Sequence, residues 1–235
     1  LVGFILIPLY TDAEYFSTAD YGLMGLLEVT SQILIAVMGL SLYSGLIRWY
    51  WDAEYRDKQK TIFFTTLLFT ILTSLCIGSV LWLNVGELSA LLVQQEGYSL
   101  GGELPYILQL LILTSMLGAV VEVPQNLLRL QRKPIYYSLT NIVRLFATLV
   151  LTIYFTISLH RGVSGVYEAQ LVGIVIQLLM VLPLVIKNSS CRVDRKCTIQ
   201  LLAYSYPLVF PAIVGSLLTV FDRYICLLYT SPSPR

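Results

Sequence analysis

Six apolar stretches of more than twenty residues, preceded by a shorter one, follow one another along the chain with short polar connections between them. A helix needs about 20 apolar residues to cross roughly 30 Å of hydrocarbon at 1.5 Å per residue, so each of the six is long enough to span a bilayer. In such a medium no water satisfies backbone N–H and C=O groups, which leaves only helices and closed barrels. A barrel requires period-two alternation with a turn about every ten residues. The sequence has none, and the runs are therefore predicted to be helices. Composition agrees: hydrophobic residues make up 57% of the chain and charged residues 12%, against about a quarter charged in soluble domains. The predicted fold class is all-α, a polytopic membrane helix bundle.

The shorter run, Leu1–Tyr10, reads as the outer part of a first span whose start is missing. The later spans are placed at about Tyr21–Ile47, Thr61–Leu83, Leu104–Leu128, Ile135–Leu159, Val163–Ile186 and Ile199–Tyr224. Lysine and arginine in the connections set the expected orientation. Arg48, Arg56, Lys58 and Lys60, then Arg129, Arg132 and Lys133, then Lys187, Arg192, Arg195 and Lys196 all fall in alternate connections. The other connections carry Asp12, Glu14 and Asp20, then Glu87, Glu96 and Glu103, and a lone Arg161. The basic side is expected to be cytoplasmic, with the N-terminus on it. In the long outer connection Asn84–Glu103, the residues Leu88, Leu91, Leu92 and Val93 predict a short interfacial helix closed by Gly101 and Gly102.

Four stretches carry a resemblance to a known family. Ala19-Asp20-Tyr21-Gly22 opens the second span, and Ser44-Gly45-Leu46-Ile47-Arg48-Trp49-Tyr50 closes it. Leu128-Arg129-Leu130-Gln131-Arg132-Lys133 forms the basic turn between spans four and five. Tyr206-Pro207-Leu208-Val209-Phe210-Pro211 begins a seventh span that ends on Asp222-Arg223-Tyr224. In this order and spacing they resemble the polysaccharide-biosynthesis flippases (Wzx-like O-antigen exporters) of the multidrug/oligosaccharidyl-lipid/polysaccharide transporter superfamily. The resemblance implies a two-bundle transporter of about 12–14 helices in a bacterial cytoplasmic membrane. On that reading residues 1–186 are the first bundle, 187–198 a cytoplasmic loop and 199–225 the first helix of the second bundle. Residues 226–235, with prolines at 232 and 234, read as a non-native tail. The implied cargo is a polyprenyl-pyrophosphate-linked oligosaccharide moved by alternating access, with a coupling cation (H+ or Na+) and the lipid bilayer as the other partners. No nucleic acid, cofactor or metal is expected.

Ionisable groups inside a span are costly and are candidates for function by default. Arg144 lies nine residues into the fifth span, about 13 Å deep. With Asn141 one turn earlier, it is expected to face a cavity that attracts the cargo's phosphates through its planar fork. Structurally, the same residue reads as one half of an interhelical ion pair. Glu28 and Gln32, one turn apart, and Glu168 are expected to line the cavity or hold a coupling cation, or equally to bridge helices. Glu122, Gln125 and Asn126 read first as interhelical packing groups and second as lining of the cavity. Arg48 and Arg129, at cytoplasmic helix ends, read first as interfacial anchors and second as a capture site for an anionic head group. Pro207 and Pro211 predict a kink in the seventh span, and Asp222 with Arg223 an outer gate or a cap. The aromatics Trp49, Tyr50, Trp51, Tyr136 and Tyr137 fall where spans meet headgroups.

Catalytic signals are missing from the sequence. The one histidine, His160, lies in an outer turn, and no HExxH, P-loop or GxSxG occurs. The four cysteines form no CxxC. The chain is expected not to be an enzyme. Two alternatives stay open: a cation-coupled multidrug antiporter of the same superfamily, which calls for an acidic cavity, and a membrane-embedded polysaccharide polymerase or ligase. The latter normally needs a large outer loop with Arg or His clusters, which Asn84–Glu103 lacks.

Overall fold

The structure, a computed structural model, describes residues 18–52, 58–95, 103–190, 195–215 and 217–218. The predicted remnant at Leu1–Tyr10, the Gly101–Gly102 pair, the Asp222–Arg223 pair and the tail from Cys226 lie outside these. The described residues contain helices and turns but no strand. The helices are α1 (Thr18–Gly39), α2 (Leu42–Trp49), α3 (Gln59–Leu83), α4 (Val85–Gln95) and α5 (Leu104–Leu130). There follow α6 (Pro134–Ile153), which closes in a π-helical turn at Tyr154–Ser158, α7 (Gly162–Asn188) and α8 (Arg195–Ser205). A 3₁₀ turn at Tyr206–Leu208 separates α8 from a further helical segment at 209–215. Among the described residues six helical stretches are long and apolar enough to cross a membrane, one for each predicted span from the second to the seventh.

The bundle is arranged around α5. Within its apolar window 56% is buried, against 17–33% for the other five spans, and α5 packs against α1, α2, α3, α4, α6 and α7. Its side chains build two apolar clusters. Leu104, Ile107, Leu108 and Leu111 meet Leu23 and Leu27 of α1 and Val163, Val166 and Tyr167 of α7. Toward the basic end, Val123, Leu127 and Leu128 meet Leu42 and Leu46 of α2, Phe63 of α3 and Val181 of α7. The outward faces carry exposed Leu72, Leu75, Phe146, Val150, Leu179 and Ile186. That pattern suits a surface solvated by lipid tails.

The second predicted span corrects the sequence reading. It is not continuous: α1 stops at Gly39 and α2 begins at Leu42. Between them Leu40 and Ser41 both take left-handed backbone, at φ 46° and 49°. Two successive L-residues there cost roughly 1–3 kcal/mol each. Neighbours hold the break in place. Thr73 Oγ1 of α3 donates to the Met38 carbonyl at 2.7 Å. Leu42 and Leu46 are fully buried on the far side. At Gly45 an added Cβ would lie 2.9 Å from Ser205 Oγ and 3.2 Å from Leu201. Glycine therefore lets α8 close directly onto α2.

Elsewhere the described residues hold helices where spans are expected. A short helix, α4, occupies part of the long connection Asn84–Glu103 and packs against α5. The kink expected at Pro207 coincides with the 3₁₀ turn. Helices α6 and α7 lie close enough that a Cβ on Gly173 would sit 2.2 Å from Thr148 Oγ1. Small residues at such crossings let two backbones approach, the usual means of packing helices in lipid.

Candidate functional site

The break between α1 and α2 opens one wall of a cavity of about 350 Å³. Gln32, Ile35 and Ala36 of α1, Ser41 of the break, Tyr43 of α2 and Glu122 of α5 line it, and Ala212 and Gly215 of the terminal helical segment cover it. The local chemistry follows from helix geometry. Gln32 and Ala36 are one turn apart and so share a flank of α1. Glu28, a turn before Gln32, continues the same flank and is exposed. Among the described residues Glu122 is the one charged residue lining this cavity.

Its carboxylate makes no hydrogen bond or ion pair with any described residue; Asn126 bonds only the Glu122 backbone carbonyl, at 3.0 Å. Arg129 stands two turns further along α5 on the same side. An ionised carboxylate held away from bulk water without a counterion is costly by several kcal/mol. It is relieved by water, by a proton or by a bound cation. Gln32, Ser41 and Tyr43 add amide and hydroxyl groups that both donate and accept.

Arg144 stands elsewhere. Its Nη1 donates to Gln177 Oε1 at 3.0 Å, across the interface of α6 and α7. Gln177 Nε2 donates to Asn141 Oδ1 at 3.2 Å. Asn141 Nδ2 donates in turn to the Tyr137 carbonyl at 2.8 Å, with a longer contact to Gln125 Oε1 at 3.4 Å. Gln125 Nε2 donates to Thr140 Oγ1 at 3.0 Å. Arg144 and Asn141 thus belong to one polar chain that ties α5, α6 and α7 together. No described carboxylate pairs with Arg144, and it does not line the Glu122 cavity. The sequence reading set a phosphate-attracting vestibule beside Arg144. The guanidinium instead meets an amide between two packed helices.

The remaining predicted residues are dispersed. Glu168 pairs with Arg161 and accepts from Tyr106 Oη at 2.8 Å, at the acidic end of the bundle. At the basic end, Arg48 lies 5.1 Å from the ring centroid of Tyr204. Arg129 lies 4.6 Å from that of Tyr137, to whose hydroxyl it also donates. Both arginines rest on aromatic faces, an attraction of about 0.5–1 kcal/mol at exposed sites. Tyr50 is buried and Tyr136 donates to the Met180 carbonyl, whereas Trp51 is exposed. Pro207 is in the 3₁₀ turn and Pro211 in the segment after it, both exposed. Of the predicted set, the structure brings Gln32 to the cavity with Glu28 on the flank leading to it, and joins Arg144 to Asn141. Ser41 and Tyr43 are polar cavity residues that the sequence reading does not name, and for Glu122 it sets packing ahead of the cavity. For Glu122 the signal was present, since it is a carboxylate within a span.

No family model and no curated protein matches the chain. Among solved structures the fold is similar to an inward-facing conformation of a multidrug resistance MATE family transporter of the MOP superfamily. The TM-score is 0.62 at 17% sequence identity, and the match covers 89% of this chain and 49% of that one. The likeness is one of fold, and this chain spans about half the length of that transporter.

Proposed function

We propose that this chain forms the first bundle of a secondary membrane transporter that works by alternating access, with Glu122 as the carboxylate that couples transport to a cation. The observation carrying this reading is the position of Glu122: a carboxylate with no ion-pair partner among the described residues, in a cavity walled on one side by a strained helix break. Uptake of H+ or Na+ there changes the charge of the site. A ligand can shift a two-state equilibrium only through unequal affinity for the two states. A carboxylate that is open to water in one state and shut in by α1, α2 and 209–215 in the other supplies that inequality. The fold likeness to a transporter supports the same class of activity. The basic end is read as cytoplasmic by the positive-inside rule, which sets the cavity in the inner half of the membrane.

Two cargoes fit. The amide and hydroxyls of Gln32, Ser41 and Tyr43 suit the hydroxyl-rich head of a lipid-linked oligosaccharide, the cargo implied by the sequence resemblance. A carboxylate beside Tyr43 suits an organic cation, the cargo of a multidrug antiporter, and this second reading is favoured by Glu122 being the one charged group among the described residues of the cavity wall. Pyrophosphate recognition by Arg144 finds no support in its hydrogen bonding. The test reconstitutes the full-length protein in vesicles under an imposed Na+ or H+ gradient and follows either a fluorescent organic cation or a lipid-linked sugar. Glu122→Gln is expected to lower gradient-driven flux at least tenfold at equal expression, while Glu122→Asp keeps part of it. Equal flux in wild type and Glu122→Gln for both cargoes would remove Glu122 from the account.

A further inference from the structure

A second concavity, of about 600 Å³, lies at the basic end between the start of α6 and the end of α7, and it shares no residue with the Glu122 cavity. Its floor is apolar, with Leu139 one turn above the start of α6 and Pro183 one turn before Lys187. Its rim is cationic: Arg132, Lys133 and Lys187. All three are exposed, and none hydrogen-bonds or pairs through its side chain with another described residue. Ile135 and Ile186 beside it are 84% and 69% exposed, so the groove opens sideways among side chains that face lipid.

The way α5 ends fixes the place of Arg132 at the rim. It takes left-handed backbone at φ 53° just past the end of α5. Lys133 N donates there to the Leu128 carbonyl at 3.0 Å, the six-to-one bond of a helix-ending motif. Glycine is the usual occupant because an L side chain is strained in that conformation. The arginine there puts a cation at the rim of the groove at the expense of local stability.

From this geometry we infer that the groove between α6 and α7 binds an anionic phospholipid of the surrounding leaflet. One acyl chain would lie along Leu139 and Pro183, with the headgroup phosphate among Arg132, Lys133 and Lys187. Charge complementarity selects the occupant. Three cations around an apolar slot at headgroup level match a lipid with net negative charge, and clusters of this kind between transmembrane helices bind such headgroups. Tyr136, whose hydroxyl is engaged by the Met180 carbonyl, clips the two helices together at the groove. A lipid seated there would brace the same pair of helices that the Arg144–Gln177 bond joins deeper in.

The test uses the full-length protein in nanodiscs of phosphatidylcholine alone or with added phosphatidylglycerol. Retained lipid is counted by native mass spectrometry and thermal unfolding is followed in parallel. Each basic residue near an anionic headgroup contributes roughly a fivefold gain in affinity, so the triple variant Arg132→Gln, Lys133→Gln, Lys187→Gln should bind phosphatidylglycerol roughly a hundredfold more weakly. Leu139→Trp, at a half-exposed position, fills the slot without touching the charges, and it should also expel the lipid. Both variants should melt normally in phosphatidylcholine and lose the upward shift given by phosphatidylglycerol. Equal retention of the two lipids by wild type, or undiminished phosphatidylglycerol binding by both variants, would overturn the inference. So would recovery of a polyprenyl phosphate rather than a phospholipid from the groove. None of these readouts depends on transport, so they stand apart from the test of Glu122.

Discussion

Arg144 and Glu122 are both charged groups inside spans, yet their neighbours treat them differently. Arg144 has a named acceptor, Gln177, which in turn is held by Asn141. Hydrogen bonds between helices in lipid contribute about 0.6–2 kcal/mol. Removing Gln177 leaves a partly buried guanidinium without its acceptor, so Gln177→Ala should destabilise the bundle by more than Arg144→Ala relieves. The two changes should be non-additive by about 1 kcal/mol in a double-mutant cycle read from unfolding in detergent or nanodiscs. Additive effects would mean that the bond carries no stability. Glu122 was less legible in the sequence because Gln125 and Asn126 follow it within one turn and suggest one polar packing face. On a peripheral helix that face would meet one neighbour. Helix α5 has neighbours on all sides, and the same polar arc meets two of them: Gln125 bonds Thr140 of α6, while Glu122 turns to the cavity.

Among the elements, the spans were legible because bilayer thickness fixes how long an apolar run must be, and a proline just inside the start marks both α5 and α6. The break at Leu40–Ser41 was not, for a physical reason. Left-handed backbone is signalled in sequence by Gly or Asn, and here Leu and Ser are forced into it by the burial of Leu42 and Leu46 and by the Thr73 hydroxyl. Length did carry a trace: a helix from Tyr21 to Ile47 would be about 40 Å long, well beyond the hydrocarbon core. Ser41 tests the break. Its side chain is 3% exposed, at φ 49° and ψ 26°. Ser41→Gly relieves the strain and should raise unfolding stability by about 1 kcal/mol. Ser41→Val, β-branched, should lower it by about 1–3 kcal/mol. If valine is tolerated as well as glycine, the left-handed conformation is wrong. A stabilised break should also slow transport if this segment flexes between states, since stability and activity commonly trade against each other at strained sites.

At the scale of the whole molecule, the described helices present two openings with opposite chemistry. One, between α1, α2, α5 and the segment 209–215, carries a lone carboxylate; the other, between α6 and α7, carries three cations. The membrane class and the helical bundle followed from apolar length and charge scarcity, which act along the chain and can be read there. The placement of charge did not follow, because it depends on which helix stands beside which. The account stands or falls on Glu122 as a cation site. The most direct measurement is binding of Na+, or uptake of H+, by the purified full-length protein without any gradient or cargo, with wild type compared to Glu122→Gln and with Arg144→Gln as the control. The account predicts about one cation or proton fewer per molecule in Glu122→Gln and an unchanged number in Arg144→Gln. An unchanged number in Glu122→Gln, or a loss confined to Arg144→Gln, would contradict it.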